Sequence, residues 1–266
     1  MYRNTDDGIN IKLFQKRKRE ILASIYSNEV LNGLVSSTVG NNSNKIDRSL
    51  KESVDAKLSV VCLTLNSHQD YYTTSTCSGR IHVFRQVKTE DFSYNQKIKH
   101  SGYTVFYAHD AEEVISTCEL LDRIANNSTH FATNVCKQQN ISSKIDEMSE
   151  KIQCQTSLMF EPLLLQVQCV SFSAAMRLVK SCREAGIKNC GIFGYNKNKG
   201  YLVTINGSDR LSIPIETYED GIIAEQKQLD CWLNLAKKLL TKNEMRIQLL
   251  LKALINLSAK NLEKSS

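Results

Sequence analysis

Three short polar clusters hold the residue types that do chemistry. In Thr73-Thr74-Ser75-Thr76-Cys77-Ser78-Gly79-Arg80, small hydroxyls and a glycine stand beside an arginine. A turn of this kind can present hydroxyls and backbone N–H groups to a carboxylate or phosphate, with Arg80 supplying charge. The plainer alternative is a hairpin turn whose side chains satisfy only the backbone. In Asp47-Arg48-Ser49-Leu50-Lys51-Glu52-Ser53-Val54-Asp55, Ser53 can cap the helix that follows. The same stretch can also gather two carboxylates and a lysine (Asp47, Asp55, Lys51) at a helix N-terminus, where the dipole favours anions. The third cluster is Phe160-Glu161-Pro162 ahead of the apolar strand Leu163-Leu164-Leu165. Glu161 is either a strand-end residue in water or a pocket carboxylate. Pro162 suits the first strand position, where its missing N–H costs least.

The elements that must position these clusters follow from apolar spacing. Helices are predicted over Ile11–Ser27, Val54–Leu65, about Asp110–Ala125, Ser173–Ala185 and about Gly221–Ala259. Phe14, Ile21 and Ile25 share a face of the first, and Lys16-Arg17-Lys18-Arg19 forms its basic flank. Val114, Cys118, Leu121 and Ala125 are the expected inner face of the third, and Ser173 the expected N-cap of the fourth. In the last helix, Leu229, Leu233 and Leu240, then Leu249, Leu250 and Ile255, are the expected core positions. Strands are predicted at Tyr71–Ser75 and Arg80–Gln86 around a tight Cys77-Ser78-Gly79 turn. Others fall at Tyr103–Ala108, Leu163–Val170, Cys190–Tyr195, Tyr201–Ile205 and Leu211–Ile215. Strands and helices do not alternate regularly. The expected fold is therefore α/β of the α+β kind, a mixed sheet surrounded by helices and not a doubly wound Rossmann fold. One domain is expected over residues 11–260. Asn126–Thr156, polar and weakly periodic, reads as an insertion.

With 266 residues, 41% of them hydrophobic, and only 2 prolines, the composition is that of a globular chain. A formal net charge of +6 permits an anionic partner without requiring one. The P-loop, GxGxxG and GxSxG fingerprints are missing, and the 5 histidines and 9 cysteines show no zinc spacing, so no metal is expected. No apolar run approaches a membrane span, and no signal segment opens the chain. A cytoplasmic protein with reduced thiols is the expectation.

The clusters, in this order, resemble the tRNA wybutosine-synthesizing N4-methyltransferase family. A D-x-S-x-K-G-x-x-D segment is matched by Asp47, Ser49, Lys51 and Asp55. An S-S-C-S-G-R segment is matched by Ser75 through Arg80. Tyr103 through His109-Asp110 echoes W-x-F/V-x-x-H-D. Phe160 through Val167 echoes F-E-P-x-x-L-H-V, and Ala185 through Gly191 echoes A-G-F-x-x-S-G. Val203 to Pro214 matches a later strand pair, and Asn243 and Arg246 sit in the expected C-terminal helix. The chain departs from the pattern at Glu52 (glycine in the family), Tyr103 (tryptophan), Gln166 (histidine), Cys190 (serine) and Asn206 (arginine).

The resemblance implies S-adenosyl-L-methionine as donor. The acceptor it implies is N4 of the tricyclic base beside the anticodon of phenylalanine tRNA. Ser75, Thr76, Ser78 and Gly79 would hold the donor's carboxylate or ribose, with Arg80 and Glu161 beside them. Asp47 or Asp55, with Lys51, would take the acceptor's proton or orient the base. His109 is either a core-edge residue or a base contact. Lys16, Arg17, Lys18 and Arg19, with Lys237 and Lys238, would meet the phosphates of the anticodon arm, although solvated helix faces explain them equally well. Gln166 and Asn206 keep open an alternative: a non-catalytic RNA-binding relative that has lost methyl transfer.

Overall fold

A computed structural model describes residues 9–25, 56–89, 101–125, 152–217 and 221–262. Its helices are α1 (Ile11–Ile25), α2 (Ala56–Ser67), α3 (residues 117–125), α4 (Phe172–Glu184) and α5 (Gln226–Leu262). Its strands are β1 (Tyr71–Cys77), β2 (Arg80–Thr89), β3 (Ser101–Ala108), β4 (Ile152–Glu161), β5 (Leu164–Cys169), β6 (Cys190–Asn196), β7 (Gly200–Asn206), β8 (Leu211–Thr217) and β9 (Gly221–Ile222). They form two antiparallel sheets, ordered β1-β5-β7-β6 and β3-β2-β4-β8-β9. The fold is α+β and not doubly wound, as the element order predicts. Within the span read as one domain lie two compact units. The first joins Met1–Gly79, Pro162–Ser208 and Lys242–Ser266, and the second Arg80–Glu161 and Asp209–Thr241.

The first unit is built on the four-stranded sheet. Leu165, Val167 and Cys169 alternate along β5 and are fully buried, as are Val203 and Ile205 of β7. Such two-residue alternation puts one face into a core. Leu58, Val61 and Leu65 of α2, Leu178 of α4, and Ile247, Leu250 and Leu254 of α5 complete that core. Leu249 and Ile255, expected inside, are 48% and 52% exposed. The run Leu249-Leu250-Leu251 offers every face an apolar residue, so spacing alone cannot select the inner one. Helix α4 starts one turn position earlier than expected. Ser171, not Ser173, accepts the cap bond from the Ala174 N–H at 3.1 Å. The helix stops at Gly186, whose φ of 81° favours glycine.

The second unit carries the five-stranded sheet. Thr156, Leu158 and Phe160 alternate inward along β4, with Ile81 and Val83 of β2 beside them. Residues 152–156, assigned to the polar insertion on composition, form half of β4. They pair with Arg85 to Thr89 of β2. The polarity of Thr156 reflects a buried ion pair. Arg85 donates from Nη2 to Glu216 Oε1 at 2.6 Å and from Nη1 to the Ile124 carbonyl at 2.8 Å. Thr156 Oγ1 donates to Glu216 Oε2. Residues 126–151 lie outside the described residues. The helix expected over 110–125 is divided. A short 3-10 turn (Ala111–Glu113) precedes α3, and the break shifts the phase. Leu120 and Ile124 are therefore buried and Cys118 is exposed.

Candidate functional site

Strand register brings together residues that are far apart in sequence. A bulge at Thr74 shifts β1, so that Ser75 stands opposite Gln166. Gln166 stands opposite Thr204, and Thr204 opposite Gly191. One lateral row across the first unit's sheet thus reads Ser75–Gln166–Thr204–Gly191. The next row, Thr76–Leu165–Ile205–Cys190, belongs to the core side. Adjacent strand residues point to opposite faces, so Ser75 and Thr76, expected to act together, are separated by the sheet. Ser75 is exposed, while Gln166 and Thr204 are half-buried. The Thr204 hydroxyl is buried and has no hydrogen-bond partner among the described residues. A buried hydroxyl without a partner is costly, and this one lies in a row that already offers another hydroxyl and an amide.

The end of that sheet is fixed by Asn243 of α5, which is fully buried. Its Oδ1 accepts from the Leu163 N–H at 2.8 Å, and its Nδ2 donates to the Ser78 carbonyl at 2.6 Å. The Gly207 N–H donates to the Leu163 carbonyl at 2.8 Å. A Cβ on Gly207 would come within 2.5 Å of the Pro162 Cβ. Gly79 has φ of 98°, a left-handed conformation that any side chain would strain. Ser78 is 2% exposed, so the accessible hydroxyl of this segment is that of Ser75. The Cys77-Ser78-Gly79 turn is not a hairpin. Strand β1 pairs with β5, and β2 with β3 and β4, in separate sheets. Sequence reasoning gave Asn243 no task, because an asparagine that holds backbone groups distant in sequence leaves no local pattern.

In the second unit, Arg80 and Glu161 are cross-strand partners at the end of β2 and β4. Arg80 Nε donates to Glu161 Oε2 at 2.8 Å, with both side chains about a third exposed. His82 Nε2 lies 3.8 Å from the same oxygen. Burial lowers the His82 pKa first, Glu161 pulls it back up, and Arg80 lowers it further. Glu161 thus pairs with one cation, Arg80, and lies beside a histidine that burial keeps toward its neutral form. His109 is half-exposed. Its backbone N–H donates to Glu113 Oε2 at 2.8 Å, and its ring meets Tyr107 edge-on at 6.0 Å.

The basic run of α1 divides. Lys16 is exposed and lies 3.8 Å from Glu20. Arg19 is also exposed and Arg17 half-buried. Lys18 turns inward instead. It is 7% exposed, and its Nζ donates to the His68 carbonyl at 2.6 Å. Burial lowers its pKa to about 8 against an opposing pull from Asp70. It is therefore not available to a phosphate, since its place on the helix puts it under the 68–70 loop. Asp70 in turn accepts from Arg177 Nη2 at 2.8 Å. On α5, Lys237 is half-buried and Lys238 exposed. Asp47, Lys51 and Asp55 lie outside the described residues. Among the described residues no group of three or more His, Cys, Asp or Glu is placed to hold a metal, and no helix is long and apolar enough to cross a membrane.

Comparison with known proteins gives this arrangement a family. The PH1069 protein from Pyrococcus horikoshii shares the fold at a TM-score of 0.61 and 18% identity, covering 92% of this chain and 97% of that one. A hypothetical protein from Aeropyrum pernix gives a TM-score of 0.52 at 16% identity, covering 76% of this chain and 98% of that one. In sequence, the chain is 31% identical over 187 residues to tRNA wybutosine-synthesizing protein 3 of Schizosaccharomyces pombe, covering 70% of this chain and 65% of that one. It is 27% identical over 213 residues to tRNA wybutosine-synthesizing protein 2/3/4 of Arabidopsis thaliana, covering 80% of this chain but 18% of that one. The chain thus spans less than two thirds of the length of either relative. The family described as Methyltransferase TYW3 matches it over residues 16–256. The chain belongs to the Methyltransferase TYW3 family.

Proposed function

We propose that this protein is an S-adenosylmethionine-dependent tRNA methyltransferase of wybutosine synthesis. The acceptor is N4 of the precursor base 3′ of the anticodon in phenylalanine tRNA. The observation that carries the reading is the lateral row Ser75–Gln166–Thr204–Gly191, which aligns four separate family-like segments on one sheet. The donor set fits. Two hydroxyls, one of them buried without a partner among the described residues, and a side-chain amide suit the carboxylate and ribose of the methyl donor. Bound S-adenosylmethionine would supply an activated sulfonium methyl. The chain's own part is to hold and align. Ser75 and Thr204 donate to the donor's oxygens, and Asn243 and Gly79 fix the strand end that carries Ser75. Alignment of two bound reactants accounts for much of the rate in such a transfer. The acceptor nitrogen must lose a proton, and the family resemblance offers Asp47, Lys51 and Asp55 as candidates for that task.

Calorimetric titration with S-adenosylhomocysteine tests the donor site. Ser75→Ala and Thr204→Val should each weaken binding, and unchanged binding in both removes the donor from this row. Mass spectrometry of anticodon-loop nucleosides, from cells with and without the protein, tests the reaction. Gln166 stands in the row where the family pattern has histidine, and this favours one second reading, a relative that binds donor and RNA without transfer. Donor binding combined with an unchanged nucleoside profile would select it.

A further inference from the structure

The edge of the first unit's sheet carries an aromatic cluster that the proposed donor site does not use: Tyr201 packs partly against the core, and its neighbours are more exposed. Tyr195 of β6 and Tyr201 of β7 are cross-strand partners with ring centroids 4.8 Å apart. Phe172, the first residue of α4, meets Tyr201 edge-on at 5.7 Å. Phe172 and Tyr195 are 49% and 51% exposed, and Phe193, at the bulge of the edge strand β6, is 79% exposed. Side chains of this size usually bury most of their surface. The segment that carries Tyr195 and Tyr201 has charge of one sign. From Ala185 through Ser208 the chain has no Asp or Glu, and it carries Lys188, Lys197 and Lys199. Lys197 and Lys199 flank the rings, in the turn between β6 and β7.

We propose that Phe172, Tyr195 and Tyr201, with Lys197 and Lys199, form a stacking surface for unpaired bases of an RNA loop. The chemistry points to one occupant. Exposed π-faces accept bases of any sequence, and lysines beside them accept the phosphates between those bases. A duplex keeps its bases stacked inside and offers these rings nothing. A protein partner would have to be acidic to use the two lysines of the β6–β7 turn. The proposal rests on the reading of this protein as acting on tRNA, and it adds the surface that holds nucleotides next to the modified one.

The test measures binding of full-length protein by fluorescence anisotropy to two RNAs with equal numbers of phosphates. One is a hairpin with a seven-nucleotide loop, and the other is a blunt duplex. The parent should prefer the hairpin. Tyr195→Ala and Phe172→Ala should each weaken hairpin binding roughly 5- to 150-fold, the worth of one stacked base, and leave duplex binding unchanged. Tyr195→Phe should retain parental affinity, because it keeps the ring. Lys197→Ala with Lys199→Ala should reduce the salt slope by about 1.4. S-adenosylhomocysteine binding and the melting profile show that each variant is folded. Parental hairpin affinity in both alanine variants overturns the stacking surface and leaves the tRNA reading standing. A parent that binds neither hairpin nor tRNA overturns both. Self-association of the parent that the same variants abolish, with RNA affinity untouched, assigns the face to a second copy of the chain and also overturns the proposal.

Discussion

Replacing Asn243 with alanine should destabilise the first unit by about 2–6 kcal/mol. The side chain is fully buried and makes two bonds, one from the Leu163 N–H and one to the Ser78 carbonyl. Each backbone group that loses its partner in an interior costs about 1–3 kcal/mol, and the sum gives the range. Asn243→Leu keeps the branched shape and leaves no cavity, so it shows what the lost bonds cost when packing space is filled. It should retain most of the deficit. Urea unfolding measures the total, and native-state hydrogen exchange locates it. The Leu163 amide should lose protection, while the amide of Val167, bonded within the β5–β7 ladder, should keep its protection relative to global stability. Binding of S-adenosylhomocysteine should weaken as well, because the strand end after Ser75 is released. A deficit below about 1 kcal/mol, or unchanged protection at Leu163, would refute the claim that Asn243 holds this end of the sheet.

Three further outcomes follow from buried polar groups. The Tyr72 hydroxyl is buried without a hydrogen-bond partner among the described residues, and burial raises its pKa to about 12. Tyr72→Phe should therefore melt at or above the parental temperature, and it should resist alkali better between about pH 10 and 12, where ionisation of the unfolded tyrosine draws the parent open. Lys18 has the opposite sign. Its folded pKa is lowered to about 8 from 10.5, so the unfolded chain binds more protons in that window, and parental stability relative to Lys18→Met should rise as pH climbs from 8 to 10.5. In the second unit, Glu216→Ala leaves Arg85 charged and buried, and it should cost about 3–5 kcal/mol by denaturant titration. The paired change Arg85→Met with Glu216→Leu should recover most of that loss.

What could be read in the sequence was local. The alternation of Leu165, Val167 and Cys169 fixes which face of β5 is buried, and Leu58, Val61 and Leu65 do the same for α2. Partner choice was not legible. Cys77-Ser78-Gly79 has the residues of a hairpin turn, but the strands on either side find partners elsewhere, and pairing between distant segments leaves no mark in the turn itself. Thr156 looked like loop composition because its polar partner, Glu216, is far along the chain. Lys18 read as one cation in a solvated run because its acceptor, the His68 carbonyl, belongs to another segment. At the site, the hydroxyl, glycine and arginine types were readable. The row that joins Ser75 to Gln166 and Thr204 depends on a bulge at Thr74 and on register across three strand pairs, and neither has a sequence signature. The rings of Phe172, Tyr195 and Tyr201 carry no local pattern of a shared surface, because the β6–β7 register and the start of α4 bring them together.

Helix α5 serves both cores. Leu229, Leu233, Ala236 and Leu240 close the second unit, and Ile247, Leu250, Leu254 and Leu257 close the first. Each unit is also stitched from segments that the other interrupts. A ribosome making this chain therefore cannot release one finished unit before starting the other. Strand β1 waits for β5, β2 waits for β4, and both interiors stay open until the last helix has emerged. Long-range pairing of this kind folds slowly and leaves strand edges and apolar faces exposed in the interval. A premature stop just ahead of Gln226 would strip a wall from both cores, so its product should be cleared by quality control and should not persist as a half-active fragment.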